Sequence, residues 1–215
     1  YPVAWGANQA GMQAHSELSG WRRWVARKLF FAIRIPVLIT VWILSKIGLH
    51  KQVTNRLLEP WMWHTAIVSA TEWDNFFKLR DHKDAQPEFQ ILARNSRLAM
   101  EHSIPKQLMW GEWHLPYINS TFVFDPISNT AGEVAPEAKV SAACCARVSY
   151  VRQNDRKSVA EDVALADRLT SNGHYSPLEH PAMASRYSTE SNFRGWKQLR
   201  KFYPGEDGRI SKEPP

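Results

Sequence analysis

The chain has 215 residues, of which 44% are hydrophobic and 22% charged, a composition that is ordinary for a globular protein with one sizeable domain. Its net charge of +6 favours an anionic partner such as a nucleotide, but no long run of like charges indicates a nucleic-acid-binding arm, so we expect no nucleic-acid partner. The two cysteines, Cys144 and Cys145, are adjacent, which excludes a C-x-x-C zinc or redox motif and a disulfide framework. We therefore expect a reducing, cytoplasmic location.

The first segment with a strong pattern is apolar. Residues 1–17 contain Gly and Asn and are expected to form a loop. Residues 29–44 are apolar except for Arg34 and Thr40, and basic residues flank both ends of the run. A membrane span needs roughly 20 apolar residues, and a central Arg costs about 2.5 kcal/mol or more. We therefore favour a buried helix, kinked near Pro36, over a membrane span, and its strong hydrophobicity suggests an oligomer interface.

Residues 71–100 predict a helical hairpin. Residues 71–74 (Thr-Glu-Trp-Asp) suit a capping box, so a helix should begin at Glu72 and end near Arg80. Pro87 suits the first turn of a second helix, which should run to about Met100 after a polar turn. The residues spaced to face a core are Trp73, Phe76 and Phe77. Periodicity alone makes Arg80 a solvated residue at the edge of an amphipathic helix.

The second half of the chain contains several shorter signals. Glu112 and His114 alternate on one strand face, but two ligands are too few for a zinc site, and a structural role is expected. Residues 119–136 suit a long connection. The small residues of 140–150 suit either a buried strand or a helix. Residues 158–161 (Ser-Val-Ala-Glu) predict a capping box, and residues 193–201 suggest a basic helix.

The capping box should begin a helix that runs from Val159 to about Thr170 and is closed by Asn172 and Gly173. Residues 173–180 follow it with the sequence Gly-His-Tyr-Ser-Pro-Leu-Glu-His. Two His, a Ser and a Glu around a proline turn can bind a metal or supply hydrogen bonds to a ligand. A capped turn with exposed polar groups is the commoner interpretation of such a pattern.

Three of these elements together resemble motifs of the flavin-dependent thymidylate synthases. They are N-F-x-x-L-R followed by A-Q-x-E at residues 75–88, A-R-V-S-Y at 146–150, and G-H-Y-S-P-L-E-H at 173–180. Residues 55–60 resemble the family's A-R-x-x-L-P element, with Asn in place of Ala and an intruding Glu. The order of the elements is similar to that of the phage-type branch, and the resemblance covers nearly the whole chain after Trp5.

One hallmark of that family is missing from the chain. The motif R-H-R-x-x-S-x-N-E-x-S-x-R has no match in residues 1–215. In the phage-type branch a version of it precedes a W-G-x-N-Q stretch, which residues 5–9 resemble. Because the sequence begins at Tyr1 rather than Met, we expect one family-like domain, 1–215, whose N-terminal segment lies upstream.

The resemblance implies an α+β fold in which helices pack on an antiparallel-dominated sheet, and a homotetramer with sites shared between subunits. It also implies methylation of dUMP to dTMP. Methylenetetrahydrofolate would supply the methylene group, and FAD, reduced by NADPH, would supply the hydride. No cysteine nucleophile is needed, so both cysteines are expected to be small buried residues.

The same resemblance assigns roles to individual residues. Arg80 would contact dUMP and polarise its uracil ring, a role that suits a planar fork of donors. Arg56 and Gln52 would also bind the nucleotide. The residues expected to contact FAD are Asn75, His174, Ser176 and Glu179. No metal is expected.

Three other functions suit the sequence. A phage-type deoxyuridylate hydroxymethylase would carry the same nucleotide and flavin motifs, and only product analysis would distinguish it. A non-catalytic nucleotide- or nucleic-acid-binding remnant suits the basic composition and the missing hallmark, although the presence of Arg80, His174 and Glu179 argues against it. A membrane-associated protein, which residues 29–44 would suit, predicts partition into detergent.

Overall fold

A computed structural model describes residues 2–10, 14–118, 134–148, 158–190 and 193–206. The chain divides into two compact units, the first formed by residues 1–64 and 74–103 and the second by residues 65–73 and 104–215. Helices occur in both units, and a three-stranded antiparallel sheet lies in the second. The general α+β class is therefore confirmed, while the single-domain organisation stays a prediction.

The described part of the first unit is helical. A loop closed by a bridge between Gly6 and Glu17 precedes the helices, as predicted. The helices are α1 (Gly20–Ala32), α2 (Arg34–Lys46), the short α3 (Lys51–Thr54), α4 (Asp74–Arg80) and α5 (Pro87–Glu101). Two short 3₁₀ helices, Asn55–Leu57 and Glu59–Trp61, follow α3.

The predicted kink near Pro36 corresponds to a one-residue break between two helices. Helices α1 and α2 meet at Ile33, three residues before this proline. Proline has no N–H, and its ring clashes with the carbonyl group four residues earlier, which here belongs to Ala32. Ile33 keeps helical dihedral angles, and its N–H still donates to the carbonyl of Leu29 (3.1 Å), so the interruption is confined to one residue.

The predicted burial of this segment is wrong. Neither α1 nor α2 contains a buried residue. Together, Gly20–Lys46 form a helical stretch of 27 residues that is long and apolar enough to cross a membrane by length and composition. Its large exposed side chains include Trp21, Leu29, Ile35, Ile39 and Trp42. The apolar run predicted a buried helix, but the described residues of the chain do not bury it.

Helices α4 and α5 form the predicted hairpin, although α4 begins at Asp74, two residues later than expected. On α4, Phe77 is buried and Phe76 is half-buried against it, with ring centroids 5.4 Å apart. Helix α5 begins at Pro87 as predicted. The Gln90 amide donates to the carbonyl of Ala85 (2.7 Å) and fixes the turn.

The second unit combines two helices and the sheet in its described part. The helices are α6 (Pro136–Ala146) and α7 (Val159–Ser171). The strands β1 (Trp113–His114), β2 (Ala182–Glu190) and β3 (Phe193–Gln198) lie in the order β1-β2-β3, and both neighbouring pairs are antiparallel. Two 3₁₀ helices, Ser176–Glu179 and Leu199–Phe202, lie at the ends of β2 and β3.

The small-residue run at 140–150 is helical as far as Ala146, and residues 147–148 form a turn. Helix α6 buries Ala138, Val140, Ser141 and Ala142 completely, because side chains this small let neighbouring elements approach its backbone. Ala138 and Ala142 form the core of the unit with Ala135, Leu178 and Leu199. Residues 149–150 and most of the predicted connection at 119–136 lie outside the described residues.

Both predicted ends of α7 are confirmed. The Ser158 hydroxyl accepts from the N–H of Glu161, and the Glu161 carboxylate accepts from the N–H of Ser158, which completes the capping box. At the other end, His174 N–H donates to Leu169 (2.8 Å) and Gly173 N–H to Thr170 (3.0 Å), a Schellman arrangement. Gly173 has φ +71°, which favours glycine.

The expectation of a basic helix at 193–201 is wrong. These residues form β3 and the start of the following 3₁₀ helix. Strand β3 pairs with β2, with Ala182 opposite Gln198 and Ala184 opposite Trp196. The aromatic residues of this segment favour a strand once a partner strand is available, which local periodicity could not show.

A buried ion pair joins α6 to α7 and generates a stability prediction. Arg147 binds the carboxylate of Asp162, whose side chain is only 1% exposed. Replacement of Arg147 by Met leaves that carboxylate buried without its partner, so we expect a loss of about 3–5 kcal/mol in the free energy of unfolding, measured by urea denaturation.

The matched control is Lys139→Met, which removes a more exposed pair between the same helices. Lys139 binds Asp167 at 2.7 Å, and the two side chains are 25% and 51% exposed. Exposed pairs contribute little, so we expect a loss of about 1 kcal/mol or less. Equal losses in the two variants would contradict the structural role assigned to Arg147.

Candidate functional site

The side chain of Arg80 is exposed at the C-terminal end of α4. Its guanidinium lies over the ring of Phe89, 5.7 Å from the ring centroid. The adjacent Asp81 is bound by Arg94 at 2.7 Å and lies 4.0 Å from Arg97. Among the described residues Arg80 forms no ion pair, so its five N–H donors remain available to an anionic or carbonyl-bearing ligand.

The other predicted nucleotide-binding residues lie in the same unit as Arg80. Gln52 is exposed on α3, and its backbone N–H donates to the ring of His50 (3.3 Å), which caps this helix. Arg56 is exposed on the 3₁₀ helix that follows, and Asn75 is exposed in the first turn of α4. No hydrogen bond or ion pair joins these side chains to one another within the described part of the unit.

Residues 173–180 lie in the second unit and are anchored by one apolar side chain. Leu178 is fully buried in the core of this unit, within the 3₁₀ helix Ser176–Glu179. The Schellman arrangement at Gly173 fixes where the segment leaves α7. His174 and Ser176 are exposed, so the core holds the segment while these two polar side chains face solvent.

Glu179 has a partner that the sequence did not reveal. Its carboxylate accepts a hydrogen bond from Arg200, and Arg200 also binds Glu206. Both carboxylates raise the pKa of the Arg200 guanidinium, and Glu206 has the larger effect. The amide of Gln198 donates to the backbone carbonyl of Glu179 at 2.9 Å. Any ligand contact made by Glu179 would therefore be shared with Arg200.

His180 forms a hydrogen bond that links distant parts of the unit. Its Nδ1 lies 3.1 Å from the Ser69 hydroxyl, 111 residues away in sequence. Burial lowers the pKa of His180, and the nearby Glu179 only partly opposes that shift. The imidazole is therefore neutral near pH 7, as suits one partner of an uncharged hydrogen bond.

A cleft with aromatic walls lies beside this hydrogen bond, entirely within the second unit. Its volume is about 280 Å³. Its rings are supplied by Trp73, His114, Phe193 and Trp196, and its hydroxyl groups by Ser69 and Thr71. The rings of His114 and Trp196 meet edge to face at 6.2 Å, and burial lowers the pKa of His114. The sequence alone did not reveal this cleft because four separate stretches of chain build it.

The described residues do not favour thiol or metal chemistry. Burial raises the pKa of the Cys145 thiol to about 12, so this buried side chain is protonated at neutral pH and is a poor nucleophile. The adjacent Cys144 is half-buried. Glu112 accepts a hydrogen bond from the N–H of Met109 (2.7 Å), which confirms a structural contact for it. No group of three potential metal ligands occurs in the described ranges.

The predicted site residues thus divide between the units. Gln52, Arg56, Asn75 and Arg80 belong to the first, and His174, Ser176 and Glu179 belong to the second. No family model, curated protein or solved structure matches the chain.

The hydrogen bond of His180 predicts a pH dependence of stability. Because the pKa of His180 is lowered from 6.5 in the folded chain, the unfolded chain takes up a proton first as the pH falls. The free energy of unfolding should therefore decrease as the pH falls below 6.5, and His114, whose pKa desolvation also lowers, adds to the same trend. In His180→Gln we expect a smaller decrease between pH ~7.5 and ~5.5, measured by urea denaturation.

His174→Gln is the matched control, since it removes an exposed imidazole from the same segment. We expect it to show the same decrease with pH as the unaltered chain. A decrease in His180→Gln as large as that in the control would contradict the assignment.

Proposed function

We propose that this protein is a flavin-dependent thymidylate synthase that methylates dUMP to dTMP with FAD, methylenetetrahydrofolate and NADPH. The observation that carries the proposal is the state of Arg80 within the motif that resembles the family's. Arg94 and Arg97 interact with Asp81, the residue that follows Arg80 in the sequence, and Arg80 itself is exposed. A positive charge held on a helix without an ion-pair partner suits recognition of an anionic nucleotide.

Arg80 can act on the substrate in two ways. Its fork of N–H donors can bind a phosphate or the carbonyl oxygens of a uracil ring. Hydrogen bonds to those carbonyl oxygens draw electron density from the ring and make C6 more electrophilic. Bound FAD would supply the hydride that this carbon accepts. Phe89, beneath the guanidinium, restricts the positions that Arg80 can take.

The second unit offers groups that fit a flavin cofactor. His174 and Ser176 are exposed polar groups on a segment that Leu178 anchors in the core, so ligand binding need not order their backbone. Glu179 is fixed by Arg200 and can position a polar edge of the cofactor through that pair. These residues can hold and orient the cofactor, while the redox chemistry belongs to the flavin.

The protonated state of Cys145 suits the proposed mechanism, in which this residue is not a nucleophile. A thiol with a pKa of about 12 does not supply a thiolate at neutral pH. The cytoplasmic location expected above suits an enzyme of nucleotide synthesis and stays part of this proposal.

A homotetramer is the assembly that we propose, with a second copy of the chain covering α1 and α2. Helix α2 is apolar on all sides, yet none of its residues is buried in the described chain. Arg34 stands at the break between the two helices, where a bilayer would disfavour a charge. The rim of a protein interface is polar and solvent-accessible and tolerates such a charge, so a second copy suits this segment better than lipid does.

The Arg80 assignment predicts a specific loss of activity. With FAD, NADPH and methylenetetrahydrofolate supplied, Arg80→Ala should lower dUMP-dependent dTMP formation by about 100-fold or more, because one preorganised donor is lost. The fold should be unchanged, since the side chain is exposed. Chromatographic separation of the products also distinguishes dTMP from a hydroxymethylated nucleotide.

Lys78→Ala is the control for this experiment, because Lys78 is another exposed cation on α4. It should retain the activity of the unaltered chain. Normal turnover in Arg80→Ala would remove the assignment of Arg80.

The assembly predicts a particle larger than one chain of 24.7 kDa. Light scattering on the purified protein should give about four times that mass, and Ile39→Lys should lower it by placing a charge on the apolar face. Ile104→Lys is the control, because Ile104 is 97% exposed and lies in the second unit. A monomeric particle, or flotation of the protein with anionic lipid vesicles, would contradict the proposed second copy.

A further inference from the structure

The aromatic cleft of the second unit has the composition of a site for a flat ligand. Trp73, Phe193 and Trp196 give it apolar walls, and the hydroxyl groups of Ser69 and Thr71 lie among them. Small-molecule sites are commonly lined by apolar and aromatic side chains with a few polar groups that fix orientation. No residue of this cleft was assigned a role by the motif resemblance.

The walls of the cleft are held in place by hydrogen bonds. The indole N–H of Trp73 donates to the carbonyl of Ala70 (2.9 Å). The backbone N–H of Arg194, next to Phe193, donates to the Thr71 hydroxyl (3.0 Å). The first bond lies within the stretch 65–73, and the second connects this stretch to strand β3, so a ligand that binds here need not order these walls.

The polar groups retain capacity for a ligand. The Ser69 hydroxyl bonds to His180, and a hydroxyl group can both donate and accept, so one further bond to Ser69 remains available. His114 lines the cleft with an imidazole whose pKa burial lowers, which makes it a neutral donor or acceptor near pH 7. The cleft therefore offers uncharged hydrogen-bonding groups beside aromatic faces.

The size of the cleft restricts what it can hold. At about 280 Å³ it lies just below the range of about 300–1,000 Å³ of small-molecule sites, which suits one ring system rather than the whole of a dinucleotide. Aromatic side chains stack on any flat ring, whereas hydroxyl and imidazole groups select rings with polar edges. An aliphatic ligand would leave the remaining hydrogen-bonding capacity of Ser69 and His114 unused.

We propose that this cleft binds the planar heteroaromatic ring of a nucleobase-like or pteridine-like ligand, stacked against Trp196 and Trp73 with its polar edge toward Ser69 and His114. Identification of the ring rests on the proposed function, whose substrates and cofactors all carry such a ring. Binding itself does not require that function to be correct.

Equilibrium dialysis of the purified chain against dUMP, FAD, 5-formyltetrahydrofolate and NADP⁺ tests the proposal and distinguishes the sources of the ring. We expect at least one probe to bind. Trp196→Leu should weaken that binding by about ten- to a hundredfold, because a stacking surface is lost, whereas Trp196→Phe should keep most of it. Trp110→Leu is the control, since Trp110 is exposed in the same unit and contacts Arg186 outside the cleft.

Two results would overturn the proposal: binding of none of the four probes, or the same affinity in Trp196→Leu as in Trp110→Leu. If circular dichroism shows that Trp196→Leu does not fold, Phe193→Leu tests the same wall with the same expectation. If the chain methylates dUMP but ligand binding does not depend on Trp196, the proposed ring site is wrong and the proposed function stands. If a ring binds in a Trp196-dependent way but dUMP is not methylated, the ring site stands and the proposed function is wrong.

Discussion

The contact on which the second unit depends is the packing of Leu178 and Leu199 against helix α6. Ala138 and Ala142 are small enough for both leucines to be fully buried against this helix. Each buried leucine contributes about 1.5–3 kcal/mol to stability. Leu178 lies inside the polar segment 173–180, and Leu199 lies next to Arg200. The same apolar contact therefore stabilises the unit and positions the polar groups of its candidate site.

The ion pairs of the chain divide into structural pairs and groups that remain exposed. Arg147 and Asp162 join α6 to α7, and Arg94 with Asp81 fixes the α4–α5 hairpin. Arg80 has no carboxylate partner in the described residues, although it lies next to Asp81. An exposed arginine costs little stability, and its free donors suit a ligand better than a scaffold. This division supports a binding role for Arg80 and a structural role for Arg147, which belongs to another of the resembling motifs.

Local chemistry was sufficient to predict several helix ends. The capping box at Ser158, the proline at position 87 and the glycine at 173 act through their immediate neighbours, and the structure confirms each. Strand β3 was missed because its stability comes from pairing with β2. The periodicity of residues 193–201 gives no information about that partner strand. The exposure of α1 and α2 was missed because hydrophobicity shows that a surface needs a cover without showing which molecule provides it.

The candidate site was predictable only in part, for the same reason. The motifs identified Arg80 and His174, which the structure shows to be exposed. They did not reveal the bond between Glu179 and Arg200, which are 21 residues apart, or the bond between Ser69 and His180, which are 111 residues apart. The aromatic cleft likewise combines residues from 68–73, β1 and β3 with the start of β2. Such contacts depend on the tertiary fold, which one sequence does not specify through local patterns.

The decisive measurement is the visible absorption spectrum of the purified chain after incubation with FAD and removal of unbound cofactor. We expect flavin absorption to stay with the protein and to change when NADPH reduces the bound cofactor. Absence of bound flavin would contradict a flavin-dependent activity and leave a nucleotide-binding protein as the better interpretation.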